Sequence, residues 1–304
     1  MRRPLAPPPL RPGAGIGVVA PAGPVDRRAL ERGAEFLERR GYRVVRGEHL
    51  HDRRAYLAGG DRERLADLNR FLRDPDVAAV WFARGGYGCA RIVSEVDFEP
   101  LRRSPKALIG FSDATVVHAA ARRAIGLSTF YGPNVSDLGD EGSFDEASLW
   151  DVLSAGPAAI RIPLAPARVL RPGAGEGPLV GGCLSVVMGL MGTPHEVALE
   201  GAILFWEEVG EEPYRIDRML AQLRLSGGLA RLRGMVVGTL VGCRPRDPRN
   251  DLPLADLLRA HLMGTDFPVV IDFPAGHGSG KRTLPLGRHV RLDSAGDSLR
   301  FDPV

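Results

Sequence analysis

The chain has 304 residues, of which 44% are hydrophobic, so it is long enough to bury the cores of two domains without disulfide or metal support. Its 40 basic and 37 acidic residues give a formal charge of +3, and their scattered arrangement indicates neither a nucleic-acid nor a membrane partner. Three widely spaced cysteines predict neither a disulfide framework nor a zinc site, and no apolar run reaches the roughly 18 residues of a membrane span. We therefore expect a cytoplasmic protein.

The first 14 residues form a proline-rich stretch, MRRPLAPPPLRPGA, that has no continuous apolar segment of the signal-peptide kind. We expect residues 1–14 to be a disordered tail. Use of the prolines as an SH3-type ligand is the alternative.

Apolar strand patterns alternate with helical patterns over residues 15–155. The predicted elements are strands at 15–23, 42–45, 77–82, 107–109 and 127–131, and helices at 26–40, 61–73, 89–96, 114–124 and 145–153. This repeat predicts an open, mostly parallel sheet with helices on both faces, whose sites lie at the carboxyl ends of the strands. The GxG at Gly15 and Gly17 lies inside the first strand, so a dinucleotide-binding fingerprint is not predicted.

Residues 156–178 are rich in Pro, Gly and Ala without helical periodicity, which predicts a linker. A second domain is then expected over 179–304. Its predicted elements are an apolar helix after LVGGC, strands at 202–210, 235–241 and 267–273, helices at 216–223 and 254–262, and a terminal hairpin around 294–297.

Ser112 lies where the stretch KALIGFSDATVVH, residues 106–118, changes from a strand pattern to a helical one. Gly110 and Ala114 are small enough for the strand and the helix to approach closely, so the serine Oγ can project from the sheet edge. The pattern G-x-S-D-A therefore predicts a nucleophile elbow. The alternative is that Ser112 or Asp113 only caps the helix, since both are preferred N-cap residues.

Three further strand ends carry groups that fit acyl transfer, which needs a base, an orienting acid and oxyanion donors. Glu207 is the first of two adjacent acids at the end of the strand AILFWEEVG, and His277 lies between glycines in PAGHGSG. The glycines of ARGGYG, residues 83–88, free backbone N–H groups for a phosphate or an oxyanion. The alternatives are a simple tight turn at 83–88, a turn histidine, and solvated or Arg-paired acids at Glu207 and Glu208.

Six segments, taken together and in order, resemble the LD-carboxypeptidase family of serine peptidases, which includes muramoyltetrapeptide carboxypeptidases and microcin C self-immunity hydrolases. They are GIGVVAPAGPV, VWFARGGYGCARI, PKALIGFSDAT, LVGGCLSVV, ILFWEEVGEEPYRIDRML and FPAGHGSGKRTLPLG. The resemblance implies a flavodoxin-like or Rossmann-like N-terminal domain, a β-rich α/β C-terminal domain of swivelling β-barrel type, and a homodimer.

The resemblance also implies the site. Ser112 would be the nucleophile, Glu207 the triad acid and His277 the base, with backbone N–H groups of Asp113 and of Gly85 or Gly86 as oxyanion donors. The reaction would use no metal or cofactor and would release D-alanine from murein tetrapeptide in cell-wall recycling. The substrate contacts expected around this site are Arg84, Tyr87, Tyr131 and Arg218, with an arginine receiving the free carboxylate.

Two positions depart from the family pattern. Tyr131-Gly132-Pro133 replaces the usual His-Gly-Pro, and Gly181-Gly182-Cys183 replaces the usual Gly-Gly-Asn. We expect both Tyr131 and Cys183 to line the cleft and to affect substrate choice. The alternative functions are therefore hydrolysis of a peptidyl or aminoacyl nucleotide, as in the microcin-hydrolysing relatives, and non-catalytic binding of a muropeptide.

Overall fold

The computed structural model describes residues 4–304 of the chain. Its secondary structure begins with a β-α repeat that contains the predicted strands and helices. In chain order the elements of this half are β1 (Gly15–Val19), α1 (Arg27–Arg39), β2 (Arg43–Arg46), α2 (Asp61–Arg73), β3 (Ala79–Phe82), α3 (Cys89–Ile92), β4 (Ala107–Gly110), α4 (Thr115–Ile125), β5 (Thr129–Tyr131) and α5 (Glu146–Ala155).

Strands dominate the remainder of the chain. In order its elements are β6 (Ile160–Pro163), β7 (Arg168–Arg171), β8 (Ala174–Cys183), α6 (Leu184–Leu190), β9 (Ile203–Val209), α7 (Pro213–Leu225), β10 (Gly234–Val241), α8 (Leu254–His261), β11 (Val269–Ile271), β12 (Leu284–Leu286), β13 (His289–Asp293) and β14 (Ser298–Phe301). The predicted terminal hairpin is confirmed, because β13 and β14 pair antiparallel around residues 294–297.

Two sheets organise these elements. The first sheet has the strand order β12-β5-β4-β3-β1-β2 and is parallel except for β12. The second sheet has the order β6-β14-β13-β8-β9-β10-β11-β7, with β8 to β11 parallel at its centre and antiparallel strands on both sides. The expected fold class is confirmed: a parallel-sheet α/β domain is followed by a β-rich α/β domain.

Local sequence explains where the helices begin and end. The carboxylate of Asp26 caps α1 by accepting the N–H of Ala29 at 2.9 Å, and Gly41 at φ +82° follows the helix. At the end of α4, Gly126 adopts the left-handed conformation at φ +71° and its N–H donates to the carbonyl of Arg122. Both ends match the predicted positions within two residues.

The prediction of a disordered tail is wrong where the structure describes it, from residue 4 onward; residues 1–3 lie outside the described residues. Leu5 forms a β-bridge with Leu127, and Leu10 is buried with its N–H bonded to the carbonyl of Leu153 at 2.9 Å. Proline prevents a regular helix here but not packing, so this extended segment docks against the first domain.

The linker prediction is also wrong. Residues 156–178 contain β6, β7 and the first half of β8, because Pro and Gly are tolerated in the edge and twisted strands that occur here. In addition, β12 returns from the second domain to pair with β5 of the first sheet, with Leu284 opposite Tyr131. The two domains therefore share a strand and a continuous hydrophobic core.

Candidate active site

Ser112 occupies the turn between β4 and α4, where a short 3-10 helix, Ser112–Ala114, opens α4. Its φ is +64°, a left-handed conformation that costs a residue with a Cβ roughly 1–2 kcal/mol. Tyr131 and Thr115 hold this strained backbone: the N–H of Ser112 donates to Tyr131 Oη at 3.1 Å, and Thr115 Oγ1 donates to the Ser112 carbonyl at 2.7 Å. This is the backbone geometry of a nucleophile elbow.

Neither side chain at the turn has a simple helix-capping role. The Ser112 hydroxyl faces His277, and Asp113 Oδ2 accepts the backbone N–H of Cys89 at 2.8 Å. Asp113 therefore connects the elbow to the start of α3, which directly follows the glycine turn at 85–88. Burial raises the pKa of the Asp113 carboxyl, and the N–H groups of Cys89 and Gly88 partly oppose this shift.

His277 connects the serine to a buried acid. Its Nε2 lies 3.2 Å from Ser112 Oγ, and its Nδ1 lies 2.7 Å from Glu207 Oε2. The backbone N–H of His277 donates to the same oxygen at 3.1 Å. A carboxylate beside Nδ1 keeps the proton on that nitrogen, so the lone pair of Nε2 faces the serine hydroxyl.

The elements of the second sheet explain how the acid and the histidine meet. Glu207 lies on the central strand β9 and is fully buried, whereas His277 lies in the turn that follows β11. Gly276, between them in space, has φ +110°, and a Cβ there would lie 2.4 Å from Glu207 Oε2. Thr239 on β10 fixes the same turn by accepting the N–H of Gly278 at 3.1 Å.

The glycine turn lies directly against the elbow. A Cβ on Gly85 would be 2.8 Å from the Cβ of Ser112, so no larger residue fits without a shift. The carbonyl of Gly85 accepts the N–H of Gly23 at 3.0 Å. Because C=O and N–H of a trans peptide point in opposite directions, the N–H of Gly86 points away from Gly23.

Tyr131 and Cys183, both expected to line the cleft, are buried behind the serine and the acid. Tyr131 is 1% exposed, and its Oη donates to Glu207 Oε1 at 2.6 Å while accepting the Ser112 N–H. Cys183 is 3% exposed, and its Sγ lies 3.4 Å from Glu208 Oε1. The expectation that they line the cleft is wrong because their polar atoms are engaged inside the protein.

The remaining expected contacts are exposed. Arg84 and Tyr87 flank Gly85 and Gly86; Arg84 Nη1 donates to the Pro24 carbonyl at 2.7 Å, and the Tyr87 ring lies 5.9 Å from that of Tyr56. Arg218 is on α7, with its guanidinium 6.0 Å from the Tyr214 ring. The alternative that Glu207 pairs with Arg215 or Arg218 is not what the structure shows. Glu207 pairs with His277, and Arg215 pairs with Glu211.

Glu208 is not a solvated acid either. It is 2% exposed, and its Oε2 accepts the N–H of Ser185 at 2.6 Å at the start of α6. It therefore anchors a helix, whereas its neighbour Glu207 faces the histidine from the opposite side of the same strand.

Sequence reasoning missed Lys281, which the structure places against the aromatic neighbour of His277. Lys281 is 5% exposed, its Nζ donates to the Ser143 carbonyl at 3.0 Å, and it lies 5.2 Å from the centre of the Phe111 ring. Phe111 in turn lies 4.9 Å from the His277 ring. Burial lowers the pKa of Lys281, against the attraction of Asp137 and Glu207. Its position four residues after His277 was the available signal.

Outside this group of side chains, residues 4–304 contain a large cavity but no metal-binding cluster. No group of three or more His, Cys, Asp or Glu side chains there could hold a metal ion, and no helix described is long and apolar enough to cross a membrane. A cavity of about 690 Å³ lies at the far end of α4, between Arg122, Val180 and Gly287, but Ser112, Glu207 and His277 are not part of its lining.

Comparisons with known proteins agree with this fold over nearly the whole chain. The model of the LD-carboxypeptidase N-terminal domain matches residues 16–132, and that of the LD-carboxypeptidase C-terminal domain matches residues 176–292. A probable murein peptide carboxypeptidase of Bacillus subtilis is 38% identical over 94% of this chain and 91% of its own length.

The chain is also similar to solved structures of known proteins. The muramoyltetrapeptide carboxypeptidase from Oxalobacter formigenes is 31% identical and superposes with a TM-score of 0.83 over 96% of this chain and all of that one. The microcin C7 self-immunity protein MccF, in complex with aspartyl sulfamoyl adenosine, is 23% identical with a TM-score of 0.92 over 99% of both chains, a likeness of fold.

The fold and these matches define the protein as a carboxypeptidase. The chain belongs to the LD-carboxypeptidase family, as its six sequence segments predict.

Proposed function

We propose that this protein is a serine-type LD-carboxypeptidase that removes the terminal D-alanine from murein tetrapeptide. The observation that carries the proposal is the continuous series of hydrogen-bond distances from Ser112 Oγ through His277 to Glu207, 3.2 Å and 2.7 Å long. The three side chain types and their order of contact are those that acyl transfer requires.

In this mechanism Ser112 Oγ attacks the carbonyl carbon of the L,D bond and His277 Nε2 takes the hydroxyl proton. Glu207 keeps the ring in one orientation and stabilises the imidazolium that forms. His277 then gives the proton to the nitrogen of the departing D-alanine, and an ester to Ser112 remains. A water molecule, deprotonated by His277, hydrolyses this ester and regenerates the serine.

The oxyanion donors in this proposal are the backbone N–H groups of Asp113 and Gly86. The N–H of Ser112 itself is engaged by Tyr131, whereas the N–H of Asp113 belongs to the first helical turn, where backbone donors have no partner within the helix. Gly86 is preferred to Gly85 as the second donor. The Gly85 carbonyl is fixed by the N–H of Gly23, so the Gly86 N–H of the same peptide points away from Gly23.

Arg84 is the proposed partner of the substrate's free carboxylate. It is exposed and directly precedes Gly85, the residue that contacts Ser112. Arg218, the other expected candidate, lies on α7 beside Tyr214, and Tyr87 adds an exposed ring next to the glycine turn. A guanidinium suits a carboxylate because it donates two parallel hydrogen bonds.

We also propose that the protein works in the cytoplasm, in cell-wall recycling, and that it is a homodimer. Support for the compartment comes from Cys89, Cys183 and Cys243, which are all free thiols in the structure. The homodimer follows from the family resemblance, and sedimentation equilibrium would test it: a mass near 65 kDa is expected, twice the 32.7 kDa of one chain.

Mass spectrometry of the products tests the substrate. Purified protein would be incubated with L-Ala-γ-D-Glu-meso-diaminopimelyl-D-Ala, free and disaccharide-linked, and in parallel with an aminoacyl sulfamoyl nucleotide. Loss of one alanine from the tetrapeptide supports the proposal. Cleavage of the nucleotide alone would instead support the microcin-type alternative, and binding of muropeptide without cleavage of anything would support a binding protein.

A further inference from the structure

Tyr131 joins the two halves of the proposed active site. Ser112 belongs to the first domain, and Glu207 belongs to the central strand of the second sheet. The Tyr131 hydroxyl contacts both, accepting the Ser112 N–H at 3.1 Å and donating to Glu207 Oε1 at 2.6 Å. A single oxygen atom therefore connects the backbone of the elbow to the carboxylate that orients His277.

Burial makes this contact consequential. Tyr131 is 1% exposed and Glu207 is fully buried, so water cannot replace a lost hydrogen bond without rearrangement. Glu207 Oε2 already accepts Nδ1–H and the backbone N–H of His277, which leaves Oε1 to Tyr131. Without the hydroxyl, a buried carboxylate oxygen and a strained backbone N–H would both lose their partner.

We propose that Tyr131 is a positioning residue that fixes Glu207 and the Ser112 elbow in register across the domain boundary. It touches no substrate, because its ring lies between Phe111 and Phe205, 6.2 Å and 5.3 Å away between ring centres. The inference rests on the proposed function, and it gives the Tyr-for-His departure a role in the catalytic machinery instead of in substrate choice.

The hydroxyl stays a donor over the working pH range. Burial raises the pKa of Tyr131 well above its usual value, and the charge of Glu207 adds to the shift. Other ionisable groups lie around Tyr131 and Glu207. They are His118 on α4, Cys183 on β8, Glu208 on β9, Asp137 after β5, and Lys281 in the turn after His277.

The test is Tyr131→Phe, which removes one oxygen and keeps the ring. The matched control is Tyr42→Phe, because Tyr42 is also buried and stacks on Trp150 at 5.3 Å. We expect kcat to fall about 10- to 100-fold in Tyr131→Phe, as for loss of one hydrogen bond to a buried charge, with KM unchanged within about twofold. Tyr42→Phe should leave both values unchanged.

The pH profile separates positioning from packing. The Tyr131 hydrogen bond stabilises the Glu207–His277 pair in the form that carries a net negative charge, so its removal makes the pair take up a proton more readily. The acidic limb of kcat/KM should therefore move to higher pH in Tyr131→Phe and not in Tyr42→Phe. An unmoved limb with reduced activity would overturn the inference and indicate a packing defect.

A double-mutant cycle tests whether Tyr131 acts through Glu207. Tyr131→Phe should lower kcat much less in the Glu207→Gln variant than in the wild type, because the acceptor of its hydrogen bond is already altered. Equal losses in both backgrounds would contradict the inference. If Tyr131→Phe fails to fold by circular dichroism, Tyr131→His provides a second test: its ring N–H should preserve measurable turnover, and a folded but inactive Tyr131→His would count against it.

The rate at which a fluorophosphonate labels Ser112 measures the reactivity of the serine without a peptide substrate. Slower labelling of Tyr131→Phe than of the wild type, with the same pH shift, supports the inference even if no tetrapeptide is cleaved. Equal labelling rates would overturn it while leaving the proposed substrate intact. A wild-type protein that neither cleaves peptide nor is labelled contradicts both proposals.

Discussion

Nε2 of His277 lies 3.2 Å from Oγ of Ser112, although the two residues are 165 positions apart in the chain. The serine extends from the first sheet and the histidine from the second, so the proposed reaction centre exists only where the two domains meet. Small errors in how the domains pack would move this contact out of hydrogen-bond range, which makes the residues that fix the two sides as important as the pair itself.

Gly276→Ala should abolish most activity. The added Cβ would lie 2.4 Å from the Glu207 carboxylate and would push either the acid or the His277 turn out of place. We expect kcat/KM to fall at least about 100-fold, comparable to misorienting the base. Gly280→Ala is the control, because Gly280 also has positive φ, +59°, but has no atom within 4 Å of its added Cβ. Similar activity losses in both variants would refute the clash.

Arg84→Ala should raise KM about tenfold and leave kcat nearly unchanged, since it removes a partner of the substrate carboxylate and no group of the reaction centre. Steady-state rates on the tetrapeptide and on its C-terminal amide test this. The amide should be a poor substrate for the wild type and should lose little more in Arg84→Ala. A tenfold effect in Arg218→Ala, with none in Arg84→Ala, would assign the carboxylate to α7.

Stability should decrease as pH falls from about 6.5 to about 4, in part because of His118. Burial lowers the pKa of this histidine to about 4, and its Nε2 is bonded to the Gly110 carbonyl at 2.9 Å. The unfolded chain binds a proton near pH 6.5, whereas the folded protein resists it until about pH 4, so protonation favours unfolding in this window. The full effect would be roughly 3 kcal/mol.

Urea unfolding at pH 7 and pH 5 measures this contribution. His118→Gln should reduce the loss of unfolding free energy between the two values, whatever its own cost at pH 7. His51→Gln, at an exposed histidine, serves as the control and should keep the wild-type difference. An unchanged pH difference in His118→Gln would show that other groups cause the acid sensitivity.

Local sequence patterns predict the elbow because everything it needs is local: a short apolar run, a serine at the change of period and small neighbours. The same holds for His277 between glycines at a strand end. The role of Tyr131 could not be predicted in this way. The segment TFY has the pattern of a strand interior. Nothing near it in sequence indicates that the Tyr131 hydroxyl donates to an acid 76 positions later.

The two errors of domain organisation have the same physical origin. Proline and glycine near 10 and 160 suggest irregular chain, yet Leu10 docks against Leu153 and β6 pairs with β14 from the end of the chain. Those partners are distant in sequence, so composition alone contains no trace of them. Pairing with distant strands outweighs weak local strand propensity here.

In the proposed mechanism Ser112 attacks the L,D peptide bond of murein tetrapeptide. The most direct measurement is stereospecific detection of alanine released from murein tetrapeptide by the wild type and by Ser112→Ala, with thermal unfolding to confirm that the variant is folded. We predict that the wild type releases one equivalent of D-alanine per peptide and that Ser112→Ala releases none above the uncatalysed rate. Release of D-alanine by folded Ser112→Ala at a rate near that of the wild type would show that Ser112 is not the nucleophile.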